Sequence, residues 1–248
     1  MFCIYRSHAN VSGLCYPCQM RSLFFLFFCF CFLSEARAQV APVPYSHLKQ
    51  ILDGRVTFES LPQRREPGFK LDSPIRAPGL RIGERFAGQR LTHTDTPWDQ
   101  VDGQPRPPLR LLAGRNGRNL SVAWHRGFGS NALFPLGHIG FPAIEARGEG
   151  AIAVQFDVPQ SRFGLRIHSD YPAPLGQQAP GGSAIFHLYD FRGTLIAQHE
   201  IPLHSGIIEI GLQRPGGISD ISGFVLTNTD PGGIAIDDIL FQLTSLTG

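Results

Sequence analysis

Gly232-Gly233-Ile234-Ala235-Ile236-Asp237-Asp238-Ile239-Leu240-Phe241 carries two aspartates with apolar residues on either side. A strand with this pattern buries both of its faces. Adjacent carboxylates inside such a strand are costly unless a charge or a hydrogen-bond donor meets them. The stretch therefore predicts a central, closing strand whose Asp pair either binds a cation or caps neighbouring backbone.

Upstream, short apolar runs recur at 109–113, 120–124, 151–158, 163–168, 184–189, 195–201, 207–212 and 223–227, divided by Gly, Pro, Asn and Asp. No helical spacing intervenes after Leu80. This is the signature of an all-β fold, here an antiparallel two-sheet jelly-roll β-sandwich. Asp190-Phe191-Arg192-Gly193 makes a tight hairpin turn, with glycine supplying a positive φ. Residues 64–79, rich in Pro, Gly and charge, predict an irregular loop. Before them, 55–62 predicts the first strand, and the apolar spacing of three and four over 45–52 predicts one short N-terminal helix packed outside the sandwich. With no sustained repeat and no second boundary, 56–243 forms a single sandwich domain, preceded by a leader with the helix at 39–55 and followed by a tail at 244–248.

Residues 20–38 have the organisation of a secretory signal: Arg21, a short apolar run over 23–33, and an A-x-A site at Ala36-Arg37-Ala38. The run falls short of the roughly 20 residues that span a bilayer. Residues 1–19 are then a mis-called start, and the exported product begins at Gln39, with no transmembrane anchor and a periplasmic or secreted location. All five cysteines lie before that point, so the product holds together through its core alone, for which about 210 residues suffice. Without Arg6, Arg21, Arg37 and Glu35, the 22 basic and 20 acidic side chains fall to 19 of each. Such a balance gives no reason to expect nucleic acid or an anionic membrane surface as a partner. It implies no particular oligomeric state.

The early Thr57-Phe58-Glu59 strand and the terminal 233–241 strand resemble those of jelly-roll sandwiches of the galactose-binding-like and MAM type. Gly129-Ser130-Asn131, the 148–157 stretch, Gln160-Ser161-Arg162-Phe163-Gly164 and Asn228-Thr229-Asp230-Pro231-Gly232-Gly233 resemble a bacterial exported domain found in proteins with a PEP-CTERM sorting signal. Here the residues after Phe241 carry no apolar anchor or basic tail. The resemblance implies that first and last strands lie side by side near a structural calcium, with Glu59 and Asp237 as ligands and backbone carbonyls completing a shell of six to eight oxygens.

The loop Thr94-Asp95-Thr96-Pro97-Trp98-Asp99-Gln100-Val101-Asp102 is the second candidate site. Its indole suits the face of a sugar ring, and Asp95, Asp99 and Asp102 suit the hydroxyls. The same Trp98 equally serves as a plug on the core, and Trp124 has the position of a core residue. His187, His199 and His204 do not converge, because the turn pairs His187 near residues 196–197 and the other two differ in parity. Gly127-Phe128-Gly129-Ser130 misses the G-x-S-x-G spacing of a nucleophile elbow. Glu145, Glu149 and Asp157 are carboxylates available to a glycosidase, which needs two in one cleft. The expected function is an exported, non-catalytic binding domain for carbohydrate or another extracellular polymer. The alternatives are a glycan-active enzyme on the same scaffold and a purely structural or assembly protein.

Overall fold

A computed structural model describes residues 40–93, 96–169 and 181–243. The signal segment and the tail lie outside them. The first elements are short: β1 (Ala41–Pro42), α1 (Tyr45–Ile51), β2 (Gly54–Val56), β3 (Phe69–Leu71), β4 (Ile75–Ala77), β5 (Leu80–Gly83), β6 (Arg85–Phe86), β7 (Arg90–Thr92), β8 (Gln100–Asp102) and β9 (Leu111–Leu112). Longer strands follow: β10 (Leu120–His125), β11 (Ser130–Pro135), β12 (Ile152–Gln160), β13 (Arg162–Ser169), β14 (Ser183–Tyr189), β15 (Leu195–Pro202), β16 (Gly206–Gln213), β17 (Ile221–Asn228) and β18 (Ile234–Phe241). The division follows composition. Pro and Gly interrupt the first part every few residues, whereas alternating apolar residues sustain the second.

These strands form an all-β antiparallel sandwich with one short N-terminal helix. The first sheet runs β1-β16-β13-β18-β11-β10-β3, with β2 on β18, and the second runs β15-β14-β17-β12-β5-β4. Between the sheets lies one apolar cluster, including Phe156, Phe163, Phe186, Phe224 and Phe241. Phe163 and Phe224 stack at 4.7 Å and 11°. Among the described residues no helix is long and apolar enough to cross a membrane.

β18 is central, as its pattern predicts, and all eight of its residues are buried. Ile234, Ile236, Ile239 and Phe241 belong to the inter-sheet core. Ile236 and Ile239 are three residues apart, which plain alternation would place on opposite faces. The register explains this: Gly164 and Arg166 of β13 face Leu240 and Asp237, so β18 holds one extra residue. Asp238 takes it up with φ 53°, a left-handed conformation that Asp tolerates. Both carboxylates thereby leave the core for the outer face of the sheet.

Helix α1 covers part of that outer face, burying Tyr45 and Leu48 against Leu240. Gly164 permits the approach, since a Cβ there would sit 3.1 Å from both Leu48 and Tyr45. The helix ends at Ile51 rather than 52, because Leu52 is already extended. The first strand is shorter than expected. β2 pairs with β18 through Val56, Arg55 and Gly54, so the chain ends do meet, but Glu59 falls in a turn after it. Asn131 holds that turn by donating from Nδ2 to the carbonyls of Phe58 and Leu61. The expected irregular loop at 64–79 contains β3 and β4, which extend the two sheets. Strands of three residues are too short to show alternation. His187 pairs with Gln198, beyond the expected 196–197, because residues 190–194 form a five-residue connection with a shift at Tyr189.

Candidate functional site

The loops between β5 and β10 build a cleft at one end of the sandwich. β7 and β8 form a hairpin with Arg90 opposite Asp102 and Thr92 opposite Gln100. Its connecting loop brings back Asp99, whose amide donates to the Glu149 carbonyl at 2.8 Å. On the other wall, Asn119 is fully buried. Its Oδ1 accepts from the Gly114 amide, its Nδ2 donates to the Leu71 carbonyl, and its carbonyl accepts from the Leu136 amide. That one side chain and its backbone fix the loop bearing Arg115 and Arg118 and the segment bearing His138. The resulting cleft has a volume of about 250 Å³ and is lined by Glu84, Asp99, Arg115, Arg118, His93 and His138, with Gln89 and Arg90 beside them.

The acids here are buried with only partial countercharge. Asp99 is 5% exposed. Burial pushes its carboxyl up to about 7, the Glu84 charge adds to this, and Arg118 opposes it. Burial likewise raises Glu84, against the pull of its ion pair with Arg85 and of Arg115. Glu149 lies behind Gly137, where a Cβ would come within 2.7 Å of its own. Burial, with Asp230 and Asp99 nearby, pushes Glu149 up to about 8. Its Oε2 meets no hydrogen-bond partner among the described residues. His93 and His138 stack at 4.5 Å and 7°, and His93 Nδ1 stands 4.0 Å from Asp99 Oδ1. Gln89 is held from behind, accepting from the Phe86 amide and donating to Tyr189 Oη at 3.0 Å. The cleft thus presents guanidinium and imidazole donors beside carboxyl groups that can both donate and accept at neutral pH.

No protein-family model matches the chain, and no curated protein matches it. Solved structures with a partial match include two that each cover 50% of this chain. A family 6 carbohydrate-binding module is 12% identical at a TM-score of 0.30, covering 50% of this chain and 81% of that one. The enzymatically active domain of bacteriophage CBA120 tailspike protein 4 is 15% identical at 0.30, covering 50% of this chain and 17% of the other. Neither bears on what the cleft binds.

Of the loop residues singled out in the sequence, Asp99 lines the cleft. Trp98 is half-buried, its carbonyl accepts from Thr96 Oγ1, and it is not among the cleft-lining residues. Asp102 is exposed and accepts from Thr92 Oγ1 at 3.2 Å, and Asp95 lies outside the described residues. Trp124 points toward the core by parity but sits at the strand end, half-buried rather than in the core. Glu149 is beneath the cleft, whereas Glu145 is exposed and Asp157 pairs with Arg81 at 3.7 Å. Glu84, Arg115, Arg118 and His138 carry no local signature, since none sits in a motif and separate loops bring them together.

The other candidate, Glu59 with Asp237, is arranged differently. Asp237 Oδ2 accepts from Ser130 Oγ at 2.8 Å and faces Arg166 at 3.3 Å, while Oδ1 accepts from the Asp238 amide. Burial and Asp238 raise its carboxyl, and Ser130, that amide and Arg166 pull it back. Asp238 is paired with both Arg166 and Arg55, the latter donating from Nε at 2.7 Å. Its carbonyl accepts from Tyr45 Oη at 3.1 Å. Burial raises the Tyr45 phenol well above its usual range, the Asp238 charge adding to it. Glu59 is exposed and accepts from the Asn131 amide, one residue beyond Ser130. This donor set does not fit a calcium ion: two guanidinium groups already balance the two carboxylates, and among the described residues no three acidic, His or Cys side chains group as ligands.

Proposed function

We propose that the chain is an exported binding domain that takes a saccharide, as part of an extracellular polymer, in the cleft around Asp99. The observation that carries this reading is the placing of Asp99, Glu84, Arg115, Arg118 and two imidazoles in one pocket whose acids lack full countercharge. Buried acids with incomplete countercharge cluster at functional sites, where a ligand or a reacting group meets them. A sugar presents hydroxyls that both donate and accept, and protonated carboxyls, guanidinium groups and imidazoles answer both roles. Export rests on the signal organisation of residues 20–38.

A glycan array followed by calorimetry on the best polysaccharide tests the reading, with wild type beside Asp99→Asn and Arg118→Gln. Binding is expected for wild type and a weakening of about tenfold or more for each variant, roughly one charged hydrogen bond. Absence of binding to any saccharide by a folded chain would overturn it. A second reading, glycan hydrolysis, is favoured by the protons that Asp99 and Glu149 retain near neutral pH, the state a general acid requires. Release of reducing ends from the bound polymer would select it over binding alone.

A further inference from the structure

A larger cavity, about 600 Å³, opens on the outer face of the first sheet, away from α1. His125, His168, Arg126, Arg147, Glu66 and Phe134 line it, and none of these borders the Asp99 cleft. His125 and His168 sit at outward positions on β10 and β13, with β11 and β18 between them. Ala132 on β11 and Ala235 on β18 are small outward residues in the gap, and the two imidazoles reach across and meet, His125 Nε2 to His168 Nδ1, at 3.0 Å.

The rest of the wall fixes them in place. Glu66 Oε1 stands 3.4 Å from His125 Nδ1. Phe128 meets both imidazole rings edge-on, and Phe134 meets that of His125. Glu66 also pairs with Arg147, whose guanidinium lies 5.1 Å from the Phe134 ring. The Nε of Arg147 is buried and meets no acceptor among the described residues. Among the described residues, two guanidinium groups against one carboxylate give the lining an excess of positive charge, and the other titratable lining groups are imidazoles.

We propose that this cavity is a second ligand site, which takes the oxyanion group, carboxylate or phosphate, of a small sugar acid or sugar phosphate. Arg126 and Arg147 supply charge-assisted donors, the imidazole pair supplies a further N–H, and the volume accommodates one or two sugar rings. A neutral sugar leaves the excess charge unanswered, so the site discriminates by charge. It stands independently of the reading of the Asp99 cleft.

Calorimetry on the full chain at low salt, with glucuronate, glucose 6-phosphate and glucose, tests this. At least one anion is expected to bind about tenfold or more tightly than glucose and to weaken as salt rises. Preference between the two anions then tells a carboxylate source from a phosphate source. Arg126→Gln, at an exposed position that the fold does not depend on, and His168→Gln should each reduce anion affinity about fivefold or more, while Asp99→Asn leaves it unchanged. Glucose binding as tightly as the anions, no anion binding to the folded chain, or unchanged affinity in Arg126→Gln would overturn the proposal.

Discussion

Two groups of buried carboxylates occupy this sandwich, and the fold treats them in opposite ways. Asp237 and Asp238, 2% and 3% exposed, lie on the outer face of the central strand among Arg55, Arg166, Ser130 and Tyr45. Glu84, Asp99 and Glu149, at 4%, 5% and 4%, are no more exposed, yet their neighbours include one another. The first group is a closed structural network that joins β2, β13, β18 and α1. In the second, Asp99 and Glu149 keep protons near neutral pH, burial raises Glu84 as well, and the group lines or underlies a cleft. Burial alone does not distinguish structure from function here; the supply of countercharge does.

Removing charge should therefore have opposite consequences in the two places. Arg166→Met leaves Asp237 and Asp238 short of their shared partner and is expected to cost about 3–5 kcal/mol, measured by urea unfolding at pH 7. A loss below 1 kcal/mol would show that the network is not closed by Arg166.

The cleft should instead make wild type less stable as pH rises. Asp99 holds its proton up to about 7 and Glu149 up to about 8 in the folded chain, whereas both release it near pH 4 when unfolded. Between those limits the native state binds more protons than the unfolded one, so stability is full below about pH 4 and declines by several kcal/mol toward pH 8. Asp99→Asn removes its share of the decline. At pH 8 it is expected to be more stable than wild type by up to about 4 kcal/mol, and near pH 4 to match it. A flat wild-type profile would erase the contrast between the two groups.

The smallest effect is expected from calcium. With Arg55 and Arg166 already on the Asp pair, melting temperatures in calcium and in chelator should agree within about 1 °C. A rise of several degrees, lost in Asp237→Asn, would return Asp237 to the role of a metal ligand.

The sandwich was legible because its evidence is local: apolar runs of strand length, turn residues between them, and a terminal stretch buried on both faces. The bulge at Asp238 was not, since a one-residue register shift is set by pairing with β13 and leaves no mark in the apolar pattern. Asp99 stood out beside Trp98 in an acidic loop, and Glu149 among three spare carboxylates. Their partners were hidden because Glu84, Arg118 and His138 arrive from separate segments, the last two joined through Asn119 and the first through the bond from the Glu84 amide to the Leu112 carbonyl. His125 and His168 were missed for the same reason. Parity puts each on an outer face, but only strand order brings 125 to 168.

The most direct test of the contrast is a carboxyl-carbon NMR titration of the folded chain. Asp99 should titrate near 7 and Glu149 near 8, with Asp99→Asn lowering the Glu149 midpoint by removing a neighbouring charge. Midpoints close to 4 for both groups would mean that the cleft supplies full countercharge after all, and its acids would then be structural like the Asp pair.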